Sequence, residues 1–265
     1  MINEHILYQG QYLGQTIKSY ETEMISAKST LHQKSQSKLH AHSNAYLSIL
    51  LSGLYSEETT LDSQKVISPS HVLYRPAHYK HKNQFITDQT KCLNIEFSSA
   101  WFDKHGINSN RIKPQIKSIQ NYPFVLRLLI DFLKHGKIDF FEELLIQLIT
   151  HEEQTISTAG KPWLGKLAQI LDNEIDVNHS LITLSERVFV HPNYMSRVFK
   201  DHFGRTIGQY QIEKKIQSAT EKLFTESTSI AQIASDCGFF DEPHFIKTFK
   251  AYNRITPHQF RLLLK

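Results

Sequence analysis

Residues 183–202 and 229–250 each read as a short apolar-faced helix, a tight turn and a second helix with a polar outer face. This tandem limits the fold more than any other feature of the chain. In the first unit Thr183 precedes Glu186 by three, the spacing of a capping box, and Leu184 and Val188 share a face. Val190, His191 and Pro192 make the turn, and Pro192 suits the first turn of the next helix because its missing N–H loses no bond there. Met195, Val198 and Phe199 are placed inward, which leaves Asn193, Ser196, Arg197 and Lys200 outward. In the second unit Ser229 caps a helix bearing Ile230, Ile233 and Ala234, and Cys237-Gly238 ends it. Asp241 caps the following helix, with Pro243 in its first turn, Phe245 and Phe249 inward, and Glu242, His244, Lys247 and Lys250 outward.

Between the units, residues 207–224 form a joining helix with Tyr210, Ile216, Ala219 and Leu223. At 1.5 Å per residue it is about 27 Å long. That length suits two helices entering successive major grooves, about 34 Å apart. Asn and Arg side chains on such helices bond base edges, and Lys and Arg neutralise phosphates. The stretch after residue 156 carries 14 Lys and Arg against 11 Asp and Glu, so it holds three of the chain's four net positive charges, a balance that fits a nucleic-acid partner.

Two segments carry a resemblance to a known family. HPNYMSRVFKDHFGRTIGQYQIEKKIQSATEKLF looks like a recognition helix and joining helix, and SIAQIASDCGFFDEPHFIKTFKAYNRITPHQFR looks like a family signature, with Ile233-Ala234, Gly238-Phe239, His244-Phe245, Phe249-Lys250 and Thr256-Pro257 in their usual places. On these residues 164–264 resemble the DNA-binding domain of the AraC/XylS family of bacterial transcription regulators. The resemblance implies that Asn193, Ser196 and Arg197 face bases in one groove and that Glu242, His244 and Lys247 do so in the next, with Lys200 and Lys250 nearer phosphates. Phe189 departs from it by standing at a turn position that is often Gly. Asn253-Arg254 replaces an aromatic-Gly pair, Pro243 replaces a Ser, and Gln232 replaces an acidic residue.

The first hundred residues read as strands. Tyr46–Leu51, Val72–Tyr74 and Leu93–Phe97 are short apolar runs separated by the turn signals Ser52-Gly53, Ser68-Pro69-Ser70 and Arg75-Pro76. The run Leu93-Asn94-Ile95-Glu96-Phe97 has the alternation of a half-buried strand. His40 and His42 share a strand face and, with His81, supply metal-ligand chemistry. The region resembles a cupin barrel: His40-x-His42, Tyr46 and Gly53 are similar to the first cupin motif, with Tyr46 in place of a ligand Glu, and Ser70, Pro76, His78 and His81 resemble the second. Sensor barrels of the family do not require metal. His40, His42, Tyr46, Tyr74 and His81 are therefore expected to line a pocket for a small polar or aromatic effector, with no metal, cofactor or catalytic residue assigned.

From Phe124 the apolar period becomes helical, in the stripes Leu126, Leu129, Ile130, Leu133 and Phe140, Phe141, Leu144, Leu145, Leu148, Ile149. These stripes pack on the barrel or form a homodimer seam, and a homodimer is the expected state. Cys92 and Cys237 form no CxxC pair or disulfide framework and suit a reducing compartment, residues 1–20 lack the apolar run of a signal peptide, and no run approaches a membrane span, so a cytoplasmic location is expected.

The expected architecture is α+β and multidomain. It comprises a cupin-like antiparallel β-barrel at 1–106, helices completing it at 107–155, a linker at 156–162 and an all-α domain with two helix-turn-helix units at 163–265. The expected function is effector-controlled regulation of transcription. Its partners are double-stranded promoter DNA, a small molecule and a second copy of the chain, with RNA polymerase an open further partner and no membrane. The alternatives are a cupin metalloenzyme with an appended DNA-binding domain and a protein-binding scaffold.

Overall fold

The computed structural model describes residues 5–59, 65–119, 123–138, 142, 145, 146, 149 and 160–264. Its Cα packing divides the chain into two units, Met1–His151 with Arg261–Lys265, and Glu152–Phe260.

The first unit holds two six-stranded sheets. One runs β1 (His5–Leu7), β5 (His40–His42), β10 (His81–Phe85), β7 (Tyr55–Thr59), β8 (Lys65–Ile67), with β4 (Ser35–Gln36) also on β10. The other runs β12 (Gln115–Ser118), β9 (His71–Arg75), β6 (Ala45–Ser52), β11 (Thr90–Phe97), β3 (Ile25–His32), β2 (Gln15–Glu21). Among the described residues all pairings are antiparallel except β1 with β5. The expected barrel is thus built as two sheets, and β12 adds a strand where only helices were expected.

Position in the sheet sets burial. Edge strand β2 is largely exposed, whereas central β6 and β11 are buried on nearly every residue of both faces. This corrects the half-buried reading of Leu93–Phe97. Asn94 and Glu96 point inward, where Asn94 accepts from Ser48 Oγ at 2.8 Å and donates to Thr30 Oγ1 at 3.2 Å. Glu96 accepts from the Gly10 amide at 2.7 Å. The interior of this unit is therefore polar, and each buried group must find a partner within it.

Helices α1 (Ser99–Lys104) and α2 (Pro123–His135) follow. Leu126, Leu129 and Ile130 are buried, as are Leu145 and Ile149, while Phe140, Phe141, Leu144 and Leu148 lie outside the described residues. Lys18 of β2 caps the end of α2, its Nζ donating to the carbonyl of Leu133 at 2.6 Å. Leu126, Leu129 and Ile130 of the first stripe are thus covered within the chain, while Leu133 is half-buried. Most of the expected linker, 156–159, also lies outside the described residues.

The second unit is helical: α3 (Pro162–Asn173), α4 (Leu181–Val188), α5 (Pro192–Phe203), α6 (Ile207–Thr225), α7 (Ile230–Asp236) and α8 (Glu242–Asn253), with α9 (Pro257–Leu264) closing the chain. Leu164, Leu167, Leu184, Met195 and Phe199 share one core with Ile207 at the start of α6. A second core is aromatic: Phe224 meets Phe260 at 5.2 Å between centroids, and Phe239 meets Phe245 at 4.9 Å. Helix α6 packs against α3, α5, α7 and α8, so one rod of about 28 Å braces both helix pairs.

Candidate functional site

Local chemistry sets each helix pair. Helix α4 begins at Ser180, whose hydroxyl accepts from the Thr183 amide, so the expected Thr183–Glu186 box is replaced by a cap three residues earlier. The turn passes through Phe189 at φ 56° and ψ 44°, the left-handed region in which a side chain is unfavourable. His191 caps α5 and Pro192 occupies its first turn. In the second pair Ser229 caps α7, Gly238 turns the chain at φ 68°, and Asp241 caps α8 by accepting from the His244 amide at 2.7 Å.

The repeat continues past α5 and α8. Gly204 and Arg254, fifty positions apart, both end their helices in the left-handed region. Thr206 with Gln209 and Thr256 with Gln259 then form the same reciprocal capping box.

On α5 the predicted inward residues Met195, Val198 and Phe199 are buried, and Asn193, Arg197 and Lys200 are exposed. Ser196 departs from expectation. Its Oγ is buried without a hydrogen-bond partner among the described residues, so it does not present its hydroxyl outward. Tyr194, which sequence reasoning passed over, is exposed and lies under the Arg197 guanidinium at 5.7 Å. On α8, Phe245 and Phe249 are buried, His244, Lys247 and Lys250 are exposed, and Glu242 is half-buried. His244 packs edge-on against Phe239 at 5.6 Å.

Lys215 is a further residue that sequence reasoning missed. It sits on α6, 5% exposed, and its Nζ donates to Asn178 Oδ1 at 2.6 Å and to the Gly238 carbonyl at 2.5 Å. One ammonium thereby ties the brace to the turn of the second pair. A cation in the middle of an amphipathic helix reads in sequence as a solvated face, which hid this role.

In the sheet unit a polar cavity of about 40 Å³ is lined by His40, His42, Tyr46 and His81. Tyr74, expected beside them, does not line it. Tyr46 pairs with Arg75 across β6 and β9, and Leu47 pairs with Tyr74. Adjacent strand residues face opposite sides, so Arg75 enters the cavity and Tyr74 turns away. Glu57 and Arg75, both unpredicted, line it as a buried ion pair at 2.5 Å.

His40 and His81 are cross-strand partners on β5 and β10, and His42 follows on the same face. One ring nitrogen of each lies within 4.8 Å of the others. His40 Nδ1 bonds the Lys38 carbonyl at 2.9 Å, and His81 Nδ1 bonds the Tyr79 carbonyl at 3.0 Å. Tyr46 Oη meets His81 Nε2 at 3.0 Å. Burial holds all three imidazoles well below the usual value, His40 at about 4, His42 at about 3 and His81 at about 4, so they are neutral at pH 7. A groove of about 350 Å³ shares Leu13, His32 and Phe85 with the cavity.

A family model described as a helix-turn-helix domain matches residues 184–262. The chain is similar to the HTH-type transcriptional regulator ArgR of Pseudomonas aeruginosa, 31% identical over 127 residues covering 45% of this chain and 39% of that protein. It is also similar to the multiple antibiotic resistance protein MarA of Escherichia coli, 28% identical over 92 residues covering 35% of this chain and 72% of that protein. Among solved structures, the C-terminal domain of the two-component response regulator yesN from Fusobacterium nucleatum is 33% identical, covering 37% of this chain and 95% of that one at a TM-score of 0.35. The match thus spans about two-fifths of ArgR's length.

Two capped helix pairs on one brace define a tandem helix-turn-helix domain. Residues 184–262 are such a domain, of the AraC type. Among the described residues no helix is long and apolar enough to cross a membrane.

Proposed function

We propose that this protein is a sequence-specific DNA-binding regulator of transcription whose N-terminal unit senses an effector. The observation that carries the reading is the repeated presentation of exposed polar side chains from two equivalent helices. Asn193, Arg197 and Lys200 stand on α5 and His244, Lys247 and Lys250 on α8, with both helices packed on α6. Asn193 and Arg197 have the chemistry to read base edges in one major groove, and the lysines to neutralise phosphates. Ser196 has no part in this reading. The second helix carries Glu242, which reads cytosine or repels phosphate, so it anchors more than it reads. The effector site is the polar cavity with its adjoining groove, where His40, His42, Tyr46 and His81 meet Glu57 and Arg75.

Selection of bound sequences from random duplex DNA, followed by footprinting, tests this. The expected result is a site with two contacted major grooves about 10 base pairs apart per chain. Enrichment of no sequence, or protection of a single groove, contradicts it.

A further inference from the structure

The cavity between the two sheets is too small for an organic effector and well shaped for an ion. Its volume is about 40 Å³, whereas pockets for drug-sized ligands run to roughly 300–1,000 Å³. Three imidazoles converge on it, and their nearest ligand atoms lie within 4.8 Å of one another. Around a tetrahedral ion with bonds of about 2.1 Å, such nitrogens sit about 3.4 Å apart, a difference that small ring rotations close.

Two of the three rings are already fixed by outer bonds. The Nδ1 atoms of His40 and His81 donate to the carbonyls of Lys38 and Tyr79, which leaves each Nε2 as the accepting nitrogen; at His81 it takes the Tyr46 hydroxyl at 3.0 Å, a bond that a bound ion would displace. Metal-bound histidines are oriented by this kind of second bond. His42 Nδ1 is buried with no hydrogen-bond partner among the described residues, in a ring at a residue only 4% exposed. A buried, unsatisfied nitrogen is costly unless something occupies it. The nearby carboxylate of Glu57 is engaged through Oε1 by Arg75 Nε and Nη2, and among the described residues the converging ligand atoms are the three imidazoles.

We propose that His40, His42 and His81 form a three-imidazole site for a divalent first-row transition-metal ion of the zinc class. Imidazole donors without carboxylate select zinc, cobalt, nickel, copper or iron over magnesium and calcium. Three protein ligands leave a coordination position open toward the cavity, where Tyr46 stands. This deepens the reading of the sheet unit as the sensing part by naming the ligand's class, and it replaces the metal-free pocket expected from sequence. Its physical core is independent of DNA binding.

The test titrates the full-length, chelator-treated protein with Zn²⁺ and with Co²⁺ as a visible probe. One equivalent per chain is expected, with the intense d–d absorption of a low-coordinate cobalt site. His42→Gln and His81→Gln should each lose affinity by more than the roughly 10–100-fold that even outer-sphere changes cost. Both variants are checked for cooperative unfolding. X-ray absorption of the loaded wild-type protein should show a nitrogen and oxygen shell with imidazole multiple scattering. No stoichiometric uptake by the wild type, uptake unchanged in both folded variants, or a shell without imidazole overturns the proposal. Salt-dependent DNA binding measured in parallel on the metal-free protein reports separately on the regulator reading: intact DNA binding without metal uptake defeats only the metal site.

Discussion

The Arg197 guanidinium lies over the ring of Tyr194, 5.7 Å from its centroid, one turn along the outer face of α5. The ring restrains a long side chain that would otherwise lose its rotamer freedom only on binding. Arg197→Ala should therefore weaken binding to the preferred sequence by about 1–3 kcal/mol and flatten the preference at one position. Tyr194→Ala should cost less, about 0.5–1 kcal/mol, and leave the preference in place. Affinities over a panel of single-base variants check both. An equal loss on every sequence for Arg197→Ala contradicts base reading.

Phe189 and Gly238 hold equivalent left-handed turn positions in the two helix pairs, yet substitution should act oppositely. A Cβ on Gly238 would stand 2.4 Å from the Asp176 carbonyl oxygen. Gly238→Ala is expected to destabilise the helical unit by more than about 2 kcal/mol, since backbone must move as well as adopt an unfavourable φ. Phe189→Gly relieves a left-handed cost of about 1–2 kcal/mol while adding about 0.5–1 kcal/mol of chain entropy to the unfolded state. Its midpoint in urea should stay level or rise. A marked fall would show that the exposed ring has a structural role.

Lys215→Met removes the only hydrogen-bond donor the described contacts give to Asn178 Oδ1 while keeping the length of the side chain. The expected loss is about 1–3 kcal/mol of unfolding free energy, because two charge-assisted hydrogen bonds are lost, one of them to the half-buried turn carbonyl of Gly238. An unchanged thermal midpoint would mean that water replaces the ammonium freely.

His32 stacks on Phe85 at 4.0 Å and bonds Thr30 Oγ1 at 2.9 Å, and burial lowers it from 6.5 to about 4. The folded chain keeps this ring neutral where the unfolded chain takes up a proton. Its contribution to stability is therefore complete above pH 6.5 and is lost as pH falls toward 4. Denaturant unfolding across that window should show stability falling with pH, and His32→Gln should reduce the slope by about one proton. An unaltered slope would place His32 in contact with water.

The helical unit was legible because its signals are local. Ser229 and Asp241 mark helix starts through bonds made within three residues, Pro192 marks one through its fixed φ and missing N–H, and the inward residues follow helical spacing. The error at Thr183 arose because Ser180 and Thr183 are both good caps, and they bond each other in the structure at 2.9 Å. Ser196 failed for a different reason: spacing places a residue on a face but cannot say how deeply its hydroxyl lies. In the sheet unit the strands were readable and the interior was not. His40 and His81 meet only through the β5–β10 pairing, and Glu57 reaches Arg75 from the other sheet. The alternation of Asn94 and Glu96 suggests a wet face, because period alone cannot distinguish solvent from a polar cavity.

The salt dependence of DNA affinity tests the central claim most directly, since it counts the phosphates met by both recognition helices. With the selected duplex, the full chain should show a steep linear fall of log K with log salt. Lys200→Ala on α5 and Lys250→Ala on α8 should each lower that slope by about one. A slope that neither substitution changes, or an affinity indifferent to salt, would contradict a duplex gripped by both helices.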